Sequence, residues 1–395
     1  MTRPERSSAR LLDFRSGGWV VLLAVLLTGA AVGLRLADSS RSRGARAVGD
    51  GKSVETYGFD LTYCAVAREA LAAAGIPKDG IRALNLPPLL RPEQADSIAR
   101  RTHRKLLVSG DRVIGVVVNG RARAYPIRFM NWHEVVNDTL GARPIAVTYS
   151  PLCDAVAVFD REVEDKILRF GVSGLLYNSN LLMYDDQPAN REESLWSQLR
   201  ACVIAGPRAR YVSEPPSEQG VPAEAELRIL PVSLVGWADW RERHPETTVI
   251  APDPALAGEY RRDPYASYFA SDGLRFPVVP IPNGGGLDLG TPNDGLDLET
   301  VNDKLDLKTP MIMVKEGGSF RAFAVSEIAR QAGPDGIWRA DVNGTPVLFR
   351  YRSDPPSVTA ESVDSSPPPP VLYAFWFAWR ATQPHSATKL LGGRP

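Results

Sequence analysis

From residue 111 the chain reads DRVIGVVVNGRARAYPI, and no other stretch limits the fold as much. The apolar pattern shifts here to a period of two, on either side of Asn119-Gly120. A strand points successive side chains to opposite faces, and Asn-Gly tolerates the positive φ angles of a tight hairpin turn. The spacing therefore predicts a hairpin of residues 112–118 and 121–127. PIAVTY, AVAVFD, ILRFGVS and LLMYDD read as further strands. FMNWHEVVND places Phe129, Trp132, Val135 and Val136 on one face of a short helix, and GWADWRERHP predicts another that stops at Pro245. Upstream, TYCAVAREALAAAG predicts a helix ending at Gly75 before Pro77, and Glu93–Lys105 a second one. The expected fold is mainly β, of the α+β class, with short inserted helices.

The last third restates this plan. MIMVKEGGSFRAFAV (311–325) aligns with VIGVVVNGRARAYPI, GTPVLFRY (344–351) with ARPIAVTY (142–149), and WFAWRATQP (376–384) with WADWRERHP (237–245). Three matched blocks in one order predict two related β-rich units, a first of residues 54–280 and a shortened second of 310–395. Trp237, Trp240, Trp376 and Trp379 are expected to be core anchors. Residues 281–309 between the units carry LDLGTPNDG, LDLETVNDK and LDLKT, a tandem expansion without an EF-hand pattern that reads as an exposed linker. Cys153 aligns with Pro355 and His133 with Gln331, so any chemistry belongs to the first unit.

Residues 19–34, WVVLLAVLLTGAAVGL, carry no charge and follow Arg3, Arg6, Arg10 and Arg15. This predicts a basic cytoplasmic segment (1–18), a transmembrane or signal-anchor helix (19–36) and a flexible tether (37–53). The partner expected there is the membrane, crossed once, with the bulk of the chain on the extracytoplasmic side; secretion after signal cleavage is the alternative. The chain has 395 residues and a formal net charge of zero, which excludes the basic excess of a nucleic-acid partner. Its three cysteines, Cys64, Cys153 and Cys202, make no disulfide framework, and a Cys64–Cys202 bridge cannot be deduced from spacing.

RARAYPIRFMNWHEVVNDTLGARPIAVTYSPLC, FGVSGLLYNSNLLMYDDQ and ESLWSQL together resemble the DUF3179 family of bacterial and archaeal proteins, over roughly residues 60–280. The resemblance implies a fold and a cell-envelope setting, and no established activity. Members of that family commonly show Cys-Pro-Leu-Cys after Thr-Tyr. Here Ser150 takes the first place and Cys153 the second, so dithiol chemistry lacks one sulfur.

The residues themselves offer three candidate sites. Cys153, with His133 and Glu134, holds the catalytic candidates, because an imidazole activates a thiol, and Cys153 with His133 also suits a copper or zinc ion. That ion and no cofactor at all stand as equal alternatives, and Cys153 also reads as a simple buried residue. Ser150 and Asp154 flank the cysteine as binding candidates. Asn131, His133, Glu134, Asn137 and Asp138 form a polar face on the expected helix, with Asn137-Asp138 read as its terminal turn. Ser173, Asn178, Ser179, Asp185, Trp196 and Gln198 line a ligand cavity or make a buried hydrogen-bond network. The expected function is an extracytoplasmic ligand-binding or assembly module. The alternative is an envelope metal-handling protein or thiol-dependent enzyme, and whether any reaction is catalysed stays open.

Overall fold

The computed structural model describes residues 48–102, 105–187, 192–211, 226–276, 278, 305–316, 319–364, 366–382 and 388–390. The expected membrane helix and most of the tether lie outside these residues, as do residues 281–304 of the linker. Among the described residues no helix is long and apolar enough to cross a membrane. The described chain is rich in β-strands arranged in several sheets.

The predicted hairpin forms as strands β1 (Arg112–Val118) and β2 (Arg121–Pro126). Asn119 and Gly120 have φ of 48° and 72°, the two positive values that a type I′ turn requires. A four-residue helix α1 (Ile127–Met130) leads into a meander of β3 (Val135–Leu140), β4 (Arg143–Ser150) and β5 (Ala155–Asp160). An insertion then supplies β6 (Phe170–Tyr177), β7 (Asn180–Asp185), β8 (Leu195–Ser197) and β9 (Cys202–Ala205). The chain returns through β10 (Ser233–Gly236), α2 (Trp237–Arg243) and β11 (Thr248–Ile250). Strand β10 pairs antiparallel with β1, and β11 parallel with β2. Trp240 of α2 lies flat on this sheet at Gly115, where a Cβ would come within 2.3 Å of the indole, so only glycine fits.

The later part of the chain has the same order of pairings. Strands β12 (Pro310–Glu316) and β13 (Ser319–Ala324) form a hairpin, followed by helix α3 (Val325–Gln331). A meander follows of β14 (Ile337–Val342), β15 (Thr345–Ser353) and β16 (Pro356–Ser362). Then come β17 (Val371–Phe375), helix α4 (Trp376–Thr382) and β18 (Thr388–Leu390). Strand β17 pairs antiparallel with β12, and β18 parallel with β13. The two stretches exchange edges. Strand β5 pairs with β17, giving an eight-stranded sheet in the order Leu84–Asn85, β3, β4, β5, β17, β12, β13, β18. On the reciprocal side β16 lies alongside β10.

The eight-stranded sheet is covered on both faces, so residues 145–150 of β4 and all of β5 are buried instead of alternating. Ile145, Val147, Val156, Val158, Ile312 and Tyr373 pack on one face with the two flanking sheets. Ala146, Ala157, Phe159, Met311 and Leu372 pack on the other with the insertion sheet, including Phe170, Met183 and Trp196. All four tryptophans of α2 and α4 are buried.

Two expected helices are strands instead. Residues 129–138 are helical only as far as Met130; Val135–Leu140 pairs with β4 and, in parallel, with Leu84–Asn85. The spacing of Phe129, Trp132, Val135 and Val136 suits a helix, but β-branched Val135 and Val136 between two partner strands gain a full ladder of hydrogen bonds. In TYCAVAREALAAAG, Leu71–Ala73 pairs with Leu175–Tyr177, and Cys64 bridges Ala205. Here the edge of the insertion sheet overrides the helix propensity of an alanine-rich run.

Candidate functional site

After β4 the sequence SPLCD makes a tight corner. Pro151–Cys153 is a single 3₁₀ turn, and Asp154 caps it in the left-handed region with φ of 44°. The corner folds the Asp154 carboxylate back under Tyr149, whose hydroxyl donates to Oδ1 at 2.9 Å. Arg112, the first residue of β1, donates from both terminal nitrogens to both carboxylate oxygens, at 3.1 and 2.8 Å. This bidentate geometry is the strong form of the pair. Burial would pull the Arg112 guanidinium down, but Asp154 and then Tyr149 more than offset it and hold it above its ordinary value. Burial, and then the Asp154 charge, pushes the Tyr149 phenol up. Beside this cluster lies a cleft of about 350 Å³ whose lining includes Arg112, Asn131, Tyr149, Tyr260, Asp263 and Phe269. That volume is at the small end for sites that enclose small molecules.

Glu134 follows three residues after Asn131, which lines the cleft. Its carbonyl accepts from the Tyr149 amide at 2.8 Å, which fixes the chain before β3 in the left-handed region, with φ of 56°. Among the described residues no hydrogen bond reaches its carboxyl, and burial alone pushes it up to about 8. The Glu134 charge reaches the Cys153 thiol and the Tyr265 phenol. Tyr265 also feels Asp263, on the cleft wall.

His133 points elsewhere. Its Nδ1 lies 2.8 Å from the Arg82 carbonyl and its Nε2 lies 2.6 Å from the Tyr260 hydroxyl. A carbonyl only accepts, so Nδ1 carries the proton and Tyr260 donates to Nε2. The ring is fully buried, and burial pushes its pKa down, so it stays neutral and ties the chain around Arg82 to Tyr260. Cys153 is 0% exposed and its Sγ donates to the Ser179 carbonyl at 3.3 Å. Burial pushes its thiol up to about 12, against the pull of Asn180 and Ser150. A thiol held so high has almost no thiolate at neutral pH, and thiolate is the form that attacks or ligates. With both ring nitrogens of His133 engaged, these contacts do not form the expected Cys153–His133 metal pair. Among the described residues no group of three or more His, Cys, Asp or Glu side chains is placed to hold a metal ion. Cys64, Cys153 and Cys202 form no disulfide with one another.

The other binding candidates lie between the central sheet and the insertion. Gln198 donates to Thr148 Oγ1 at 2.9 Å and to the Ala155 carbonyl at 3.1 Å, and accepts from Asn180. Ser150 accepts from the Leu181 amide, and Ser173 bonds the Leu182 carbonyl. Asn178 and Ser179 occupy a positive-φ turn between β6 and β7, and reach the carbonyls of Ala381 and Phe276. Asp185 accepts from the Ser194 amide, the Trp196 indole and Arg208. Apart from Asn180 Oδ1, which has no partner among the described residues, these groups satisfy one another and the backbone. The polar face expected on a helix is divided as well. Asn137 binds the Phe170 backbone, Asp138 pairs with Arg123 and Tyr125, and Asn131 lines the cleft.

Arg112, Tyr149, Tyr260, Asp263 and Tyr265 carry no local motif, and only the fold brings them together. Glu134 is the one catalytic candidate that keeps an unpaired functional group. A model of the family DUF3179, described as protein of unknown function, matches residues 78–367. The match runs further into the second stretch than the roughly 60–280 expected. No curated protein and no solved structure matches the chain.

Proposed function

The chain belongs to the DUF3179 family, whose description names no activity, and we propose that it is a small-ligand-binding module with its site in the cleft beside Arg112, Tyr149 and Tyr260. The observation that carries this reading is the cleft itself, about 350 Å³ beside a half-buried Arg112–Asp154 pair and partly walled by aromatic rings. Sites of this kind combine apolar walls with a few fixed polar groups. The module is anchored by residues 19–36 and works outside the cytoplasm, a setting that rests on the charge and hydropathy of that segment. We also read residues 54–280 and 310–395 as two related units, of which the first carries the site. The alternative, metal handling or thiol chemistry on Cys153 and His133, has less support because the thiol is enclosed and the imidazole is engaged on both sides.

Native mass spectrometry of the full-length chain in mild detergent tests the reading. A bound small molecule is expected on the wild type and is expected to be lost in Tyr260→Ala and Phe269→Ala variants that remain folded. An adduct that survives both changes, or no adduct from any preparation, overturns it. Stoichiometric copper or zinc that disappears in Cys153→Ala and His133→Ala favours the alternative.

A further inference from the structure

The cleft wall is rich in guanidinium groups. Arg112 and Arg128 stand on the side built by the start of β1 and by α1, and Arg261 and Arg262 on the side built by residues 260–269. The acids on the wall are Asp111 and Asp263, and both are already engaged. Asp111 accepts from the Val108 amide at 2.9 Å and stands 3.4 Å from Arg128. Asp263 accepts from the Tyr265 amide at 2.9 Å and from Asn131 at 3.4 Å, and its charge acts on Arg112. Two further acids, Asp154 and Glu259, hold Arg112 and Arg262 from outside the lining.

Arg261 is left over. Its side chain is exposed, and among the described residues no hydrogen bond or ion pair reaches its guanidinium. Arg262 is held by Glu259 three residues away, in an exposed pair of the kind that adds little and is readily exchanged. The rest of the wall is apolar surface: Ile127, Phe269 and the rings of Tyr149 and Tyr260. The two tyrosine hydroxyls are spent on Asp154 and His133. What the cleft has to offer a ligand is therefore positive charge at one side and apolar walls beside it.

Building on the ligand-binding reading above, we propose that the cleft takes a small organic carboxylate, with its anionic end on Arg261 and Arg262 and its apolar body against Ile127, Tyr149, Tyr260 and Phe269. A guanidinium carries only donors, in a fork that matches the two oxygens of a carboxylate. Arg261 supplies such a fork without first breaking a pair. Asp111 and Asp263 limit the charge of the ligand. A dianion such as a phosphate monoester would meet both wall carboxylates with twice the repulsion of a monoanion. An organic cation would meet four arginines. The small volume of the cleft, about 350 Å³, suits a free small molecule.

The test is isothermal titration of the full-length chain in mild detergent, near neutral pH, with benzoate. Benzamide, benzylamine and phenyl phosphate carry the same ring with a neutral, a cationic and a largely dianionic end. Benzoate is expected to bind about tenfold or more tighter than each of the three. Arg261→Gln, a change at an exposed and unpaired side chain, is expected to weaken benzoate by about tenfold, the scale of one charge-assisted hydrogen bond, and to leave benzamide unchanged. Benzoate that binds no tighter than benzamide, or equally well to Arg261→Gln, overturns the proposal. So does tighter binding of benzylamine or phenyl phosphate. Each of these outcomes leaves the ligand-binding reading standing. If none of the four probes binds, the carboxylate proposal falls, and the adduct on the native protein decides the broader reading separately.

Discussion

Residues 112–250 and 310–390 build the same pattern of strand pairings with different interiors. In the first stretch Arg123 donates to the Thr139 carbonyl at 3.1 Å and to the Asp138 carboxylate at 2.5 Å, and Tyr125 donates to the same carboxylate at 2.7 Å. In the second, Arg321 donates to the Asp341 carbonyl at 2.9 Å, the matching backbone contact. The registers of the hairpins and meanders set Phe323 where Tyr125 stands and Ala340 where Asp138 stands. The hydroxyl and the carboxylate that receives it are absent together, so neither stretch keeps half of the pair. This co-variation separates the shared frame, held by backbone pairing and tryptophan packing, from the polar groups each stretch adds. The other differences follow the same division. The first stretch joins β5 to β10 through residues 161–232, whose strands form a sheet that Leu71–Ala73 completes, and the second joins β16 to β17 through residues 363–370. Glu134 faces Gly336 across the comparison, and the SPLCD corner faces the tight turn from Ser353 to Pro356.

The sharpest way to break this comparison is the Asp138 pair. Asp138→Ala leaves Arg123 and Tyr125 buried without their acceptor and is expected to cost ~3–5 kcal/mol in chemical unfolding. Adding Tyr125→Phe recreates the Phe323–Ala340 arrangement and is expected to return about 1 kcal/mol of that loss. If the double variant is no more stable than Asp138→Ala alone, the two interiors are not interchangeable.

Glu134→Gly copies the second stretch at its strained position. Relief of the left-handed backbone is expected to raise stability by about 1 kcal/mol where the carboxyl is protonated in both states. The gain then depends on pH with a definite sign. Burial holds the folded carboxyl up to about 8, against an ordinary value of 4.5. Below the ordinary value both states are protonated and the carboxyl contributes no pH dependence. Between the two values the unfolded chain ionises and the folded one does not, so the wild type loses up to ~1.4 kcal/mol per pH unit, and above the higher value the loss is constant. The advantage of Glu134→Gly over the wild type should therefore widen on going from about pH 5 to about pH 8. A pH-independent difference would mean that the carboxyl is not desolvated.

The smallest effect is expected at Cys153, whose place in the second stretch is part of a plain turn. Cys153→Ala should cost about 1 kcal/mol, the ordinary size of a small core truncation. In the native wild type a thiol reagent at neutral pH should label Cys153 only on unfolding. Rapid labelling of the folded chain would restore a chemical role for this sulfur.

Much of the frame was legible because it is written in short-range chemistry. Asn119-Gly120 marks a turn through its tolerance of positive φ, and the Trp-x-x-Trp blocks mark α2 and α4 through their apolar faces. What misled was apolar spacing read without a partner. Val135 and Val136 fit a helical face, and only the arrival of Leu84–Asn85 and β4 on either side makes them a strand. Aligning His133 with Gln331 failed for a related reason. Helix α3 is longer than α1, and the match is restored only by the amides of Tyr149 and Tyr351 bonding Glu134 and Gly336. Among the site candidates, Asp154 pairs with Arg112 and the Glu134 carbonyl bonds the Tyr149 amide, contacts between residues well separated in sequence.

The sequence by itself determined the β-rich class, the hairpins, the tryptophan helices and the family, because turn chemistry, side-chain period and long motifs act over a few residues. The tertiary structure decided that β5 joins β17, that Arg112 meets Asp154, that His133 is a tie to Tyr260, and that no described donor reaches the Glu134 carboxyl. Those outcomes depend on which distant groups arrive at the same place and which stay beyond the reach of water. Desolvation and pairing are properties of that arrangement, and no local pattern encodes them.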